Sequence, residues 1–249
     1  MSLLEIRNVT KTFGDHRAVD DVTLTIRKGE FLGLIGSNGA GKTTLVNLIS
    51  GFFHADRGAL VFDGHDITRH SINGRIRAGI ARSFQLVNLF DHLTVLDNVA
   101  LTIFSRQGKT RWLWKLAGRD HAVRDEAMAV LRQFGMESKA AMLAGAVSQG
   151  ERKLLDVALA YALRPKLLFL DEPTSGVSTR DKAQIMDTVS SVVRGGGVTA
   201  VVIEHDMDVV FKYSDRVVVM HEGRFLADGP PDEIRRNSEV AKYLLGTDV

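Results

Sequence analysis

The run Gly36-Ser37-Asn38-Gly39-Ala40-Gly41-Lys42-Thr43 sets three glycines just ahead of a lysine and a hydroxyl. Glycines at these positions let successive backbone N–H groups turn inward on one point, and a helix opening next adds the positive end of its dipole. That is the chemistry of an anion cradle. Lys42 would neutralise phosphate charge and Thr43 would offer its hydroxyl to a divalent cation, so the spacing G-x-x-x-x-G-K-[ST] predicts a nucleoside triphosphate with Mg²⁺. Thr44 completes the predicted phosphate-binding set. A turn that binds nothing would account for the glycines, but not for both flanks as well. Residues 31–35 read as a buried strand before the loop, and residues 44–49 as an amphipathic helix after it, closed by Gly51.

A second chemical element is Leu167-Leu168-Phe169-Leu170-Asp171-Glu172, an apolar run that ends in two acids. Carboxylates at the end of a buried strand are unfavourable unless something positive meets them. Mg²⁺ carrying a nucleotide is the natural candidate. Asp171 would hold the ion, directly or through water, and Glu172 would polarise the attacking water. Taken alone such a pair could merely start a loop; beside a phosphate loop it gains meaning. A third element is Val147-Ser148-Gln149-Gly150-Glu151-Arg152-Lys153, where Ser148 reads locally as the N-cap of a helix running toward Leu163.

These residues need a scaffold. Residues 3–9, 19–26 and 58–62 read as strands, an antiparallel β region around the phosphate loop. From about 93 to 163 the periodicity turns helical: Val123, Ala127, Val130, Leu131 and Phe134 share one face, and Gly135 stops it. Strand and helix then alternate through 166–170, 180–193, 198–203, 206–213 and 216–220. Buried strands separated by helices imply a parallel sheet covered on its faces. The expected fold is therefore α/β: a phosphate-loop NTPase core with a mainly parallel sheet, an antiparallel β region near the N-terminus, and an inserted α-helical subdomain. One domain over 1–249 is expected, with residues 1–92 and 164–249 as core and C-terminal tail, and 93–163 as the helical subdomain.

At 249 residues, with 45% hydrophobic and 25% charged, the composition is ordinary globular usage. No apolar run reaches the roughly 18 residues of a membrane span, and the first residues lack the basic region and apolar core of an export signal. Work at a membrane would need another chain. The absence of cysteine excludes disulfides and thiol chemistry and suits a reducing cytosol. A formal charge of +2 gives no argument for nucleic acid. Residues 106–119 carry both tryptophans among basic residues. Such a pattern suits lipid headgroups, a partner subunit or a solvated connector whose tryptophans pack on the helical insert, and single-stranded nucleic acid finds no support elsewhere in the chain.

The phosphate loop, Gln85 after a strand-like segment, Ser148-Gln149-Gly150-Glu151, the Asp171-Glu172 strand end, and His205 after Val201-Val202-Ile203-Glu204 follow one another in a recognisable order. Over nearly its whole length the chain resembles the nucleotide-binding subunit of an ABC transporter. Ile80-Ala81-Arg82-Ser83-Phe84-Gln85, Leu93-Thr94-Val95-Leu96-Asp97-Asn98-Val99, Ile203-Glu204-His205-Asp206-Met207-Asp208 and the tail from Ala227 to Ile234 are most similar to importers of branched-chain and other hydrophobic amino acids. Urea and amide importers share much of this wording.

The resemblance implies roles. Phe13 would stack on adenine. Gln85 would touch Mg²⁺ or the attacking water and report occupancy to a membrane subunit. His205 would contact the γ-phosphate and help hold the water and Glu172. Ser148 and Gly150 would bind the γ-phosphate of ATP held by an opposite subunit, the same chain or a paralogue. Two membrane-spanning permease subunits, an external solute-binding protein and a place on the cytoplasmic face of the inner membrane follow from the same likeness, with no nucleic acid.

The chain departs from the family's usual Leu-Ser-Gly-Gly-Gln at Gln149 and Glu151, and from its acidic or amide residue after the acid strand, where Ser175-Gly176-Val177-Ser178 stands. A soluble ABC-type ATPase of translation, repair or chromosome organisation is the alternative class. Such proteins pair two cassettes or insert a long coiled coil, whereas Lys42 and Ser148 are 106 positions apart (148 − 42) without a heptad run. A regulatory module that only binds nucleotide would not need Glu172 and His205.

Overall fold

The computed structural model describes residues 1–83, 89–108 and 120–245. Two sheets carry the fold. The first is antiparallel, in the order β2-β1-β4-β5, from β1 (Ser2–Phe13), β2 (His16–Arg27), β4 (Arg57–Phe62) and β5 (His65–Asp66). β2 alternates buried Val22, Leu24 and Ile26 with exposed neighbours, the period of a strand wet on one face.

The second sheet has the order β10-β9-β3-β8-β7-β6: β3 (Phe31–Gly36), β6 (Ile80–Arg82), β7 (Leu167–Asp171), β8 (Thr199–Ile203), β9 (Arg216–His221) and β10 (Arg224–Gly229). It is parallel from β9 to β6, with β10 added antiparallel at one edge. β3, β7 and β8 are buried at every residue, as strands covered on both faces must be. Their alternation sorts side chains between layers. Leu168, Leu170, Ala200 and Val202 join a core with α3 (Val95–Arg106), α4 (His121–Gln133), α5 (Gln149–Ala162) and α6 (Thr179–Gly195). Leu167, Phe169, Val201 and Ile203 face the other way, toward α1 (Lys42–Ser50) and the antiparallel sheet. A smaller core joins β3 and β9 to α7 (Met207–Tyr213), α8 (Pro231–Arg236) and α9 (Ser238–Leu245).

Several expectations need correction. α1 starts at Lys42 rather than residue 44, because left-handed Gly41 (φ 100°) is its N-cap and Lys42 and Thr43 form the first turn. Residues 65–66 and 224–229 also form strands. Residues 72–78 form a further helix, α2, capped by Ser71 and closed by Gly79. In α2 the buried residue is Arg75, so the segment shows no apolar stripe.

Candidate functional site

β3, β8 and β7 lie side by side and end together: Leu34 pairs with Ile203, and Ile203 with Asp171. The segments that follow them therefore converge at the carboxyl ends of a parallel sheet, the usual place for a ligand in such folds. After β3 comes the phosphate loop, after β7 Glu172, and after β8 His205. Asn38, Gly39, Ala40, Gly41, Lys42, Thr43, Thr44, Asp171, Glu172, His205 and Phe13 all line one cleft of about 440 Å³. Gly36 and Ser37 reach Lys42 through their carbonyls, which accept from its ammonium at 2.6 and 3.0 Å.

The N-terminus of α1 has no side-chain cap. The helices that begin at Ile72, Val95, His121, Gln149, Thr179 and Met207 all have one. α1 thus leaves its first N–H groups to the cleft, as an anion site requires. Burial lowers the Lys42 pKa, and the carboxylates of Glu172 and Asp171 oppose that shift.

Glu172 has φ 48°, a left-handed backbone uncommon for a side chain of its size. Its N–H donates to the Ile203 carbonyl at 2.9 Å, extending the β7–β8 ladder by one step. Its Oε1 lies 3.1 Å from His205 Nε2. The acid is largely covered and the histidine is half exposed, and both line the cleft.

Asp171 is less free than the sequence suggests. Its Oδ2 accepts from Arg82 Nη2, and Arg82 Nη1 donates to Asn47 Oδ1 of α1 at 2.6 Å. The Asp171 N–H approaches Ser83 Oγ at 3.3 Å. Thr43 and Asp171 offer hard oxygens to the same cleft. Among the described residues no three His, Cys, Asp or Glu side chains gather as a metal cage. That donor set fits Mg²⁺, which takes one or two carboxylates or hydroxyls with water and nucleotide phosphates.

Phe13 is 43% exposed, packed edge-on against Phe53 with centroids 5.2 Å apart. His16, its direct cross-strand partner, lines the same cleft. Sequence reading missed His16, because only the register of the hairpin brings it there. Gln85 lies outside the described residues, as do residues 109–119 of the basic tryptophan segment.

Ser148 and Gly150 do not join this cleft. They line a second one, of about 420 Å³, with Gly176, Val177, Ser178 and Asp181. Ser148 is the N-cap of α5, and Glu151 completes a capping box: the Ser148 N–H donates to Glu151 Oε2 at 2.8 Å, and the Glu151 N–H donates to Ser148 Oγ at 3.4 Å. The departure at Glu151 thereby has a structural use. Ser178 likewise caps α6. Lys153, one turn into α5, donates to the Glu172 carbonyl at 3.2 Å and to Ser175 Oγ at 2.9 Å.

A phosphate loop, an acid–histidine pair at the adjoining strand ends and a separate serine–glycine helix start define a phosphate-loop ATPase of the cassette type. The family described as ABC transporter matches residues 19–175, and the chain belongs to that family. It is similar to the high-affinity branched-chain amino acid transport ATP-binding protein BraF of Pseudomonas aeruginosa, with 33% identity over 98% of each chain. It is also similar to the spermidine/putrescine import ATP-binding protein PotA of Haemophilus ducreyi, with 32% identity over 98% of this chain and 63% of that one. Among solved structures, the ADP conformation of an ATP-binding cassette of an ABC transporter superposes with a TM-score of 0.88 at 29% identity, covering 99% of this chain and 100% of that one. A dimeric post-hydrolysis cassette bound to ADP and Pi gives 0.76 at 25% identity, over 92% and 99%. The protein is an ATPase of this family, and no helix among its described residues is long and apolar enough to cross a membrane.

Proposed function

We propose that the chain powers import of branched-chain or other hydrophobic amino acids, working as one half of an ATP-sandwich dimer. The observation that carries the dimer is the separation of the two clefts: the phosphate loop and acid–histidine pair line one, Ser148 and Gly150 the other. A head-to-tail pair joins each loop cleft to the partner's serine–glycine cleft, and so completes two sites.

In this reading adenine stacks on Phe13, and the phosphates lie on the N–H groups of residues 36–44 with Lys42 as counter-charge. Ser148 and Gly150 of the partner subunit close over the γ-phosphate. Glu172 orients a water molecule whose oxygen attacks the γ-phosphorus while the bond to the bridging oxygen of ADP breaks; His205 holds Glu172 and the γ-phosphate. Thr43, Asp171 and Gln85 would hold Mg²⁺, which when bound neutralises charge on the phosphate oxygens. Closing on ATP and reopening after hydrolysis would move two membrane-spanning permease subunits at the cytoplasmic face of the membrane, with solute delivered by an external binding protein. The helical subdomain 93–163, which carries Ser148, would be the part that the permeases move against the core.

The BraF likeness supports the amino-acid substrate, and the PotA likeness defines the competitor. Cells lacking this chain should lose uptake of labelled leucine, isoleucine and valine but keep uptake of spermidine; the reverse pattern refutes the substrate. The dimer is tested with heterodimers. Lys42→Ala and Ser148→Arg on separate chains damage the same composite site and spare the other, whereas both on one chain damage both sites. The first should keep more ATPase activity; activity only in the second would refute head-to-tail pairing.

A further inference from the structure

We propose that Glu204 is a positioning residue that locks the segment carrying Glu172 to the segment carrying His205; the idea rests on the reading of Glu172 and His205 as the reacting pair. Glu204 immediately follows β8 and is 5% exposed. Its Oε1 accepts two hydrogen bonds from Thr174, from the N–H at 2.8 Å and from the hydroxyl at 2.6 Å. Its Oε2 accepts from the His205 N–H at 3.3 Å. Thr174 is fully buried and lies two residues beyond Glu172.

The need for such a lock follows from the topology. β7 and β8 pair up to Asp171 and Ile203, and the Glu172 N–H adds one last backbone bond to Ile203. Beyond that point the ladder stops and the two chains are free to diverge, yet the acid and the imidazole must stay 3.1 Å apart. Glu172 also sits at a strained φ, which persists only where the surroundings over-determine it. Glu204 supplies that constraint by taking donors from both segments on one rigid side chain. Burying an acid for packing alone is unfavourable, since an apolar residue of similar volume would fill the space at lower cost. An acceptor-only group suits three donors; an amide in its place keeps an oxygen for Thr174 but turns an NH₂ group toward the His205 N–H, donor against donor.

The test uses the full-length chain with Glu204→Gln, Thr174→Val, the two combined, and Glu172→Gln as reference. Steady-state kcat and KM for MgATP, ATP affinity by calorimetry and the melting temperature are measured on each. Glu204→Gln should lower kcat about 10- to 100-fold, the cost of an error of about 1 Å in a reacting geometry, and leave ATP affinity close to wild type. Thr174→Val should lower kcat in the same direction, and combining it with Glu204→Gln should add little, because each breaks one end of the same run of contacts from Thr174 through Glu204 to His205. Wild-type kcat in Glu204→Gln beside an inactive Glu172→Gln overturns the lock and leaves the role of Glu172 standing. A loss confined to melting temperature and affinity also overturns it. Wild-type turnover in Glu172→Gln overturns the lock together with the reading beneath it.

Discussion

Gly41→Ala should cripple the phosphate loop through the backbone, without removing any group that touches a nucleotide. Gly41 has φ 100°, and a Cβ built on it would lie 2.2 Å from the Ala18 carbonyl oxygen and 2.8 Å from Met220 Cε. A carbon–oxygen contact normally stays beyond about 3.3 Å, so loop and β2 must part by about 1 Å. The left-handed backbone itself costs an L-residue about 1–2 kcal/mol. Overpacking against a backbone carbonyl adds about 1–3 kcal/mol. Gly39→Ala separates the two effects, because Gly39 has φ 81° but nothing within 4 Å of its Cβ. Urea denaturation should place Gly41→Ala below Gly39→Ala by about 1–3 kcal/mol, roughly 2–12 °C in melting temperature for a chain of this size. The Gly41 carbonyl also accepts the Leu45 N–H at 2.9 Å at the start of α1, so its displacement carries Lys42 and Thr43 with it. Hydrolysis should then fall about 10²-fold. Equal destabilisation by the two substitutions, or a folded Gly41→Ala that hydrolyses ATP at the normal rate, would refute the packing argument.

Glu172→Gln should bind ATP normally but hydrolyse it about 10²–10⁴-fold more slowly, the range for loss of a general base; near-normal phosphate release would remove Glu172 from the chemistry. Lys42→Ala should weaken ATP binding about 10- to 100-fold, from loss of a charged hydrogen bond of about 1.5–3 kcal/mol, and unchanged calorimetric affinity would place the site elsewhere. Asp63, in the β4–β5 turn, has its carboxyl held down at about 2 by hydrogen bonds from Lys166 and Lys28. A depressed carboxylate adds stability that is present above its unfolded value and lost as pH falls through the folded one. Asp63→Asn should therefore lower the urea midpoint at neutral pH, with the difference shrinking below pH about 4 and gone only below about 2; a difference that persists in acid would show that the ion pairs are not its source.

What the sequence made legible is what local strings encode. The phosphate loop, the Asp171-Glu172 strand end and the Ser148 cap each need only their neighbours in the chain, and the buried strands announce themselves by unbroken apolar runs. What stayed hidden is held by distant partners. Arg82 meets Asp171 across 89 positions and Thr174 meets Glu204 across 30, and neither pair has a periodic or spacing signature. Arg75 looks like a surface residue of a short polar helix, yet it is buried, with its guanidinium donating to the Leu48 and Ile49 carbonyls at the end of α1. Capping another helix in that way is a tertiary event. His16 enters the cleft only through the β1–β2 register.

The second cleft can influence the first through one side chain. Ser148 and Gly150 stand at the start of α5, and Lys153 lies five residues past Ser148 on that helix, a rise of about 7.5 Å. Lys153 is buried and grips the Glu172 carbonyl and Ser175 Oγ, so α5 cannot shift at its N-terminus without pulling on the segment that holds the acid. That segment is in turn tied to His205 through Thr174 and Glu204. In the dimer proposed here, a γ-phosphate arriving at Ser148 would belong to the partner's nucleotide, and any pull it exerted would end at this chain's own acid–histidine pair. In that dimer, hydrolysis at one site would depend on occupancy of the other without a long pathway: a helix of 14 residues, a lysine and a glutamate span the distance. The loop at 175–178 is anchored by Lys153 on one side and by the Ser178 cap of α6 on the other.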